Sequence, residues 1–114
     1  YVFLISSSII KEPSIGLEIS SSLRSGFVSL FKSISQHEKN RSISFVNIAP
    51  GPLKTERVKE LVTNMKSFEK NLPTRKIGNP NEIGKFVRFI VENEIKYVTG
   101  STVYFDGNIN KSII

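Results

Sequence analysis

The 114-residue sequence contains no cysteine and no tryptophan, and His37 is its only histidine. Without cysteine the chain forms no disulfide bond and no thiolate metal site, and a lone histidine gives no support for a metal centre. Long apolar runs are missing as well. The N-terminal run of residues 1–5 is too short for a signal-peptide core or a membrane span. We therefore expect a cytoplasmic protein with no bound metal and no membrane partner.

Acidic residues are fewer than basic ones: ten Asp and Glu stand against sixteen Lys and Arg, for a net charge of +6 at pH 7. A basic domain of this kind can bind nucleic acid through its phosphates. Here the basic residues are scattered without a run of five, and aromatic residues do not interleave with them as in a base-stacking platform. We favour a solvated surface and keep a nucleic-acid-binding domain as the less favoured alternative.

Strand-forming and helix-forming segments alternate along the chain and predict an α/β fold. Residues 1–5 are a continuous apolar run, typical of a parallel strand covered on both faces. A long helix and a second strand follow, and this order indicates a right-handed crossover. The predicted elements are strand 1–5, helix 17–37, strand 43–48, helix 56–65, helix 80–93 and strand 102–105, with a mobile, partly helical segment over 67–76.

The predicted helix over residues 17–37 has an unusually wide apolar surface. Ile19, Leu23, Phe27 and Ile34 repeat at helical spacing, and neighbouring apolar residues widen the stripe to more than one side. Such a helix is covered on two sides rather than lying on a surface. We therefore expect it to be sandwiched and to anchor the core.

Capping residues mark the starts of two other helices. Asn79 at the N-cap, Pro80 at the first helical position and Glu82 in the first turn form a capping-box arrangement. Thr55 is the expected cap of the helix over 56–65. The apolar residues that the later helix is expected to bury are Ile83, Phe86, Val87 and Ile90.

Three motifs follow one another at spacings that match one protein family. Ile5-Ser6-Ser7 closes the first strand, and Asn47-Ile48-Ala49-Pro50-Gly51-Pro52-Leu53-Lys54-Thr55 contains a stiff turn over 49–52 after the second strand. The third set is residues 75–84, followed by Tyr97-Val98-Thr99-Gly100 and Phe105-Asp106-Gly107. In this order, and over essentially the whole chain, the motifs resemble the C-terminal signature of the short-chain dehydrogenase/reductase family.

The resemblance implies the C-terminal half of a Rossmann-like, doubly wound parallel sheet. It would comprise three strands, a long central helix and two to three further helices in a single partial domain over 1–114. Family members bind NAD(H) or NADP(H), and their glycine-rich phosphate loop has no counterpart in this sequence. Either that loop lies upstream of Tyr1 or this protein never had it, and we expect this chain to contact only the nicotinamide side. The implied cofactor-binding residues are Arg24, Pro50, Gly51, Pro52, Leu53 and Thr55.

The resemblance also implies catalytic positions. In the family a serine orients the substrate carbonyl, a tyrosine thirteen residues later transfers the proton, and a lysine four residues further binds the ribose. The matching positions here are Ser7, Ser20 and Arg24, so Ser-x-x-x-Arg stands where Tyr-x-x-x-Lys is expected. Positions 20 and 24 share one helix face. Serine is a much weaker acid than tyrosine, whereas arginine keeps a charge that can bind ribose hydroxyls or a developing oxyanion.

Structural alternatives stand beside these roles. Ser7 also fits a strand-end cap, Ser20 a polar filler, and Arg24 a surface ion pair. The leading functional hypothesis is an NAD(P)-dependent oxidoreductase acting on a small carbonyl or alcohol substrate. The missing tyrosine keeps open a catalytically degenerate relative that acts as a binding or oligomerisation module.

Self-association is a further expectation. In the family the long helix, here over 17–37, packs against its copy in a second subunit, so the resemblance implies a homo-oligomer. A half-sheet also leaves a strand edge unpaired. We expect the 114-residue chain alone to be inactive and to associate through that edge.

Overall fold

The structure, a computed structural model, describes residues 1–113. Strands and helices alternate along it as expected of an α/β fold. The elements are β1 (Val2–Ile5), α1 (Glu18–Ser35), β2 (Phe45–Pro50), α2 (Glu56–Leu61), α3 (Met65–Lys70), α4 (Pro80–Glu92) and β3 (Ser101–Phe105), with short 3-10 turns at Ser8–Ile10 and Glu38–Asn40. None of the helices within residues 1–113 is long and apolar enough to cross a bilayer.

The three strands form one parallel sheet in the order β1-β2-β3. The central strand β2 is buried along its whole length, and its successive side chains point to opposite faces. Val46 and Ile48 pack with Ile83 of α4. The ring of Phe45 meets that of Phe31 of α1 edge-on, with 5.3 Å between centroids. The two helices therefore cover opposite faces, and the predicted doubly wound parallel sheet is confirmed.

Helix α4 begins where its capping residues indicate. The Oδ1 atom of Asn79 accepts a hydrogen bond of 3.0 Å from the backbone N–H of Asn81, and Pro80 occupies the first turn. The residues predicted to face the core lie in it or against it: Ile83, Ile90, Phe86 and Val87. Because each fully buried side chain of this size contributes roughly 1.5–3 kcal/mol, α4 is a main source of stability.

Contrary to the prediction, helix α1 is not sandwiched and does not anchor the core. It packs on the sheet through Phe31, while its regular apolar residues lie on the outer surface. This α1 stripe consists of Ile19, Leu23, Phe27, Leu30 and Ile34. Ile19 is 78% exposed and Phe27 63%. Helical spacing identified the stripe, but no other element within residues 1–113 covers that side.

Strand β2 begins and ends two residues later than predicted. Its expected start at Ile43 lies in a turn, and Ala49 and Pro50, expected in a stiff turn, belong to the strand. Proline fits because its nitrogen faces β1, which has already ended, so no ladder hydrogen bond is lost. The ladder to β3 continues through Gly51, whose N–H donates to the Phe105 carbonyl at 3.1 Å.

The chain between β2 and α4 forms two short helices rather than the one predicted over 56–65. Thr55 caps α2 as expected, with its Oγ1 accepting from the N–H of Val58 at 3.4 Å. The helix stops early because Asn64 caps a new one, α3, by accepting from the N–H of Ser67 at 3.1 Å. The following segment, expected to be only partly helical, therefore begins inside a regular helix.

The two ends of this connection are joined at the sheet edge. The N–H of Lys54 donates to the Gly78 carbonyl at 2.8 Å, and the N–H of Gly78 donates to the Pro52 carbonyl at 3.1 Å. Leu53 and Gly78 thereby form a short parallel bridge. Residues 54–77, the 54–77 lobe, stand on this bridge at the carboxyl edge of the sheet.

Candidate functional site

All three strands end at one edge of the sheet, because they run parallel. Ser6 and Ser7 follow β1, residues 50–55 (the β2 turn) close β2, and Asp106 with Gly107 follows β3. In open α/β sheets, ligands bind outside the carboxyl ends of the strands. The motifs singled out in the sequence thus converge on the edge where a ligand site is expected.

Ser7 lies in extended backbone at the end of β1 and is half-buried. Its Oγ accepts a hydrogen bond of 3.5 Å from the backbone N–H of Ile9 and so caps the next turn. A hydroxyl also has one proton to donate, so this contact leaves the Ser7 proton for another acceptor. The neighbouring Ser6 is buried, and its Oγ donates to the Ile48 carbonyl at 3.4 Å, which ties the end of β1 to β2.

The structure brings Ser20 and Arg24 together beside the end of β1. The Nε of Arg24 donates to the Oγ of Ser20 at 3.3 Å, and its Nη1 donates to the Ser6 carbonyl at 3.2 Å. Arg24 thus bonds to a hydroxyl and a carbonyl, not to the surface carboxylate considered as an alternative. Both acceptors are uncharged, so these contacts orient the guanidinium without neutralising it.

Gly51 holds the β2 turn against β3. A side chain at this position would place its Cβ 2.9 Å from both the Cα and the carbonyl oxygen of Asp106, too close for atoms not bonded to each other. Thr55 closes the turn: its N–H donates to the Leu53 carbonyl at 2.8 Å while its side chain caps α2. The β2 turn is therefore fixed relative to the end of β3.

Tyr104 is the tyrosine nearest the carboxyl end of a strand, and it does not replace the one missing at position 20. Burial, followed by the negative charge of Asp106, raises the pKa of Tyr104 above its usual value. The Nζ of Lys11 lies over the ring, 4.7 Å from its centroid, in a cation–π contact. A phenol with a raised pKa is a poorer proton donor at neutral pH.

Asn47 was quoted within a motif but was given no role by sequence reasoning. It is buried in the middle of β2, and its Nδ2 donates to the Thr102 Oγ1 at 3.1 Å. Among residues 1–113 its Oδ1 has no hydrogen-bond partner. A polar residue inside an apolar strand was the available signal, since buried polar groups are normally paired.

A cavity of about 340 Å³ opens beside the β2 turn, between the 54–77 lobe and the segment after β3. Its largely apolar walls include Pro52, Leu72, Thr74, Lys76, Phe105 and Asp106. Of the site residues predicted from sequence, only Pro52 lines it, so Ser7, Ser20 and Arg24 lie outside. The site therefore has two parts, a polar cluster at the end of β1 and a cavity on the other side of the β2 turn.

Sequence comparison decides the family. A family model described as enoyl-(acyl carrier protein) reductase matches residues 3–110. The chain belongs to the short-chain dehydrogenase/reductase family. It is 32% identical over 88 residues to an uncharacterized short-chain type dehydrogenase/reductase of Sinorhizobium fredii, covering 74% of this chain and 16% of that protein. It is 30% identical over 87 residues to the 3-oxoacyl-(acyl-carrier-protein) reductase FabG of Chlamydia muridarum, covering 75% of this chain. This short-chain dehydrogenase/reductase chain spans 35% of that FabG relative.

Solved structures share the fold of this short-chain dehydrogenase/reductase chain. YwfH, an NADPH dependent reductase involved in bacilysin biosynthesis, aligns with a TM-score of 0.86 at 24% identity, over 97% of this chain and 47% of that one. A short-chain dehydrogenase/reductase from Serratia marcescens aligns with a TM-score of 0.77 at 25% identity, over 92% of this chain and 43% of that one. An NADPH-bound short chain oxidoreductase from Pseudomonas aeruginosa with an atypical catalytic center aligns with a TM-score of 0.85 at 17% identity, over 96% of this chain and 46% of that one.

Proposed function

We propose that the protein is an NAD(H)- or NADP(H)-dependent oxidoreductase acting on a small carbonyl or alcohol substrate. The observation that carries this proposal is the position of Arg24, whose guanidinium is oriented at the end of β1 with no neutralising carboxylate among residues 1–113. The donor set fits the nicotinamide side of such a nucleotide, because guanidinium and hydroxyl groups suit ribose hydroxyls and a carboxamide. When bound, the nucleotide supplies or accepts the hydride.

Three side chains of this chain are assigned roles at the reacting carbonyl. The Ser7 hydroxyl donates a hydrogen bond to the substrate oxygen and thereby orients the substrate. Arg24 binds the ribose hydroxyls and stabilises negative charge that develops on that oxygen. Ser20, a weak acid, is held by Arg24 and acts as a relay, whose hydroxyl gives its proton to the substrate oxygen as it takes one from water, so that no free alkoxide forms. The rate is therefore expected to be lower than a tyrosine at position 20 would allow.

The β2 turn is assigned to the nicotinamide. Pro50, Gly51, Pro52, Leu53 and Thr55 lie at the carboxyl edge of the sheet next to Ser6 and Ser7. Their rigid geometry favours binding, since little conformational freedom is lost when a ligand is placed against a fixed turn. The Pseudomonas aeruginosa protein of the same fold combines bound NADPH with an atypical catalytic center, which is consistent with binding here despite the serine at position 20.

A second candidate is a catalytically degenerate relative that serves as a binding or oligomerisation module. The exposed α1 stripe favours it, because contiguous apolar surface on a soluble protein marks an interaction site. A second copy of the chain, packed stripe against stripe, is the proposed partner. Oligomerisation is compatible with both candidates, so turnover separates them.

The test is nucleotide binding and turnover by the full-length protein and by Arg24→Ala. We expect the wild type to bind NADH or NADPH in a titration and to reduce members of a carbonyl panel. Arg24→Ala should weaken nucleotide affinity about tenfold or more, since a hydrogen bond to a charged group is lost, and Arg24→Lys should restore part of it. Arg88→Ala, which removes an exposed arginine paired with Glu92 on α4, is the matched control.

The outcomes separate the candidates. Absence of affinity for both nucleotides, or equal affinities for wild type and Arg24→Ala, overturns the oxidoreductase proposal. Binding without turnover across the panel favours the degenerate relative instead.

A further inference from the structure

The segment after β3, residues 106–112, is organised at its start by a carboxylate. The Oδ1 of Asp106 accepts from the N–H of Asn108 at 3.0 Å. Its Oδ2 accepts from the N–H and the side-chain Nδ2 of Asn110, at 3.1 and 2.7 Å. Gly107 and Asn108 adopt positive φ, which the tight coil around the carboxylate requires. The segment is thereby fixed on Asp106.

A second carboxylate holds the other end of this segment. The Oε1 of Glu12 accepts from the backbone N–H groups of both Lys111 and Ser112, at 2.9 and 2.8 Å. Hydrogen bonds to an ionised acceptor are stronger than neutral ones. The preceding residue, Lys11, sits over the ring of Tyr104 in β3. Two consecutive residues of the loop after β1 therefore contact β3 and the segment that follows it.

The fixed start of the segment touches the β2 turn. Gly51 donates its N–H to the Phe105 carbonyl, and its missing side chain lets the backbone of Asp106 approach closely. A continuous series of contacts thus runs from the β2 turn through Asp106 and residues 106–112 to Glu12. Glu12 lies five residues after Ser7 in the same loop.

We propose that Glu12 is a positioning residue, which acts through residues 106–112 to hold the loop after β1, and with it Ser7, in place relative to the β2 turn. The assignment of substrate orientation to Ser7 rests on the proposed function. The coupling between the loop and the segment is a separate physical claim. This claim requires that loss of the contacts at Glu12 increases the mobility of both the loop after β1 and residues 106–112, not of residues 106–112 alone.

The coupling is tested by hydrogen–deuterium exchange on the full-length protein, with Glu12→Ala, Glu12→Gln and Glu60→Ala compared with wild type. Glu12→Ala should raise exchange about tenfold in peptides covering 106–112 and in peptides covering 7–12, because both lose a charge-assisted contact. Glu12→Gln keeps a carbonyl acceptor and should restore most of the protection. Glu60, an exposed glutamate of α2 outside these contacts, is the control and should change neither. A thermal melt checks that each variant is folded.

If Glu12→Ala speeds exchange in residues 106–112 alone, the proposed coupling is overturned. If exchange is unchanged both there and in residues 7–12, the contact of Glu12 with the segment is itself overturned. A kinetic comparison tests the role of Ser7 separately: Glu12→Ala should raise the KM for a carbonyl substrate severalfold while the nucleotide Kd stays unchanged. An equal loss of nucleotide affinity contradicts the positioning of Ser7. If the wild type binds no nucleotide, the proposed function fails, while the exchange result still decides the coupling.

Discussion

The two long helices lie on opposite faces of the same sheet and use their apolar residues in opposite ways. Ile83 and Ile90 of α4 are buried, whereas Leu23 and Phe27 of α1 are more than half exposed. Both helices have apolar residues at helical spacing. An apolar stripe predicts that a helix face is packed against something, but it does not show whether the packing partner belongs to the same chain.

The comparison extends to the candidate site. Helix α1 carries Ser20 and Arg24 toward the end of β1, while its stripe faces outward. Helix α4 contributes packing, and its N-terminus lies beside the base of the 54–77 lobe. One helix therefore stabilises the chain, and the other joins the candidate site to an exposed apolar surface, the one we propose for a second copy.

The largest expected effect is on the α4 face. Ile90→Ala leaves a cavity in the core and should lower the free energy of unfolding by about 2–5 kcal/mol. Leu23→Ala on the α1 stripe is the matched control and should change it by less than about 0.5 kcal/mol. Denaturant unfolding at a protein concentration where the chain is monomeric measures both. Equal losses for the two variants would show that the α1 stripe is covered within one chain.

Phe27→Ser should have a smaller effect on the free energy of unfolding but should clearly weaken self-association. This side chain is 63% exposed, so the free energy of unfolding of the monomer should change by less than about 0.5 kcal/mol. Sedimentation should nevertheless show weaker self-association than in the wild type, because apolar area at the proposed interface is removed. Val91→Ser, at a half-exposed apolar position of α4, is the control. Association that is weakened only by the control places the interface on α4.

The smallest expected effect concerns pH at the start of α1. The carboxylate of Glu18 accepts from the N–H of Gly16 at 2.9 Å, and this backbone hydrogen bond lowers the pKa of Glu18 below its usual value. A lowered folded-state pKa gives stability that is present at neutral pH and lost as pH falls through that pKa. The protection factors of the amides over residues 16–20, which are exchange rates corrected for the intrinsic pH dependence of amide exchange, should therefore fall on acidification in the wild type. Glu18→Gln should show little of this fall, and an identical fall in both proteins contradicts the assignment.

Sequence reasoning succeeded where the signal is local. Asn79 and Pro80 located the start of α4, and the spacing of Ser20 and Arg24 placed them on one helix face. It was wrong for the helix expected over 56–65, because Asn64 starts a second helix there. It also placed Pro50 outside β2, since only the pairing of β2 with both neighbours shows that the strand continues beside β3 and that the proline nitrogen faces the side where β1 has already ended.

The sequence by itself determined the alternation of strands and helices, the cap of α4 and the two apolar helix patterns, because these depend on residues within a few positions of one another. Only the tertiary structure decided which pattern is buried, since burial depends on what the sheet and its crossovers bring to each face. The same holds for Glu12, whose carboxylate meets Lys111 across 99 positions of the chain. No local pattern encodes such a contact, because the parallel order of the strands creates it.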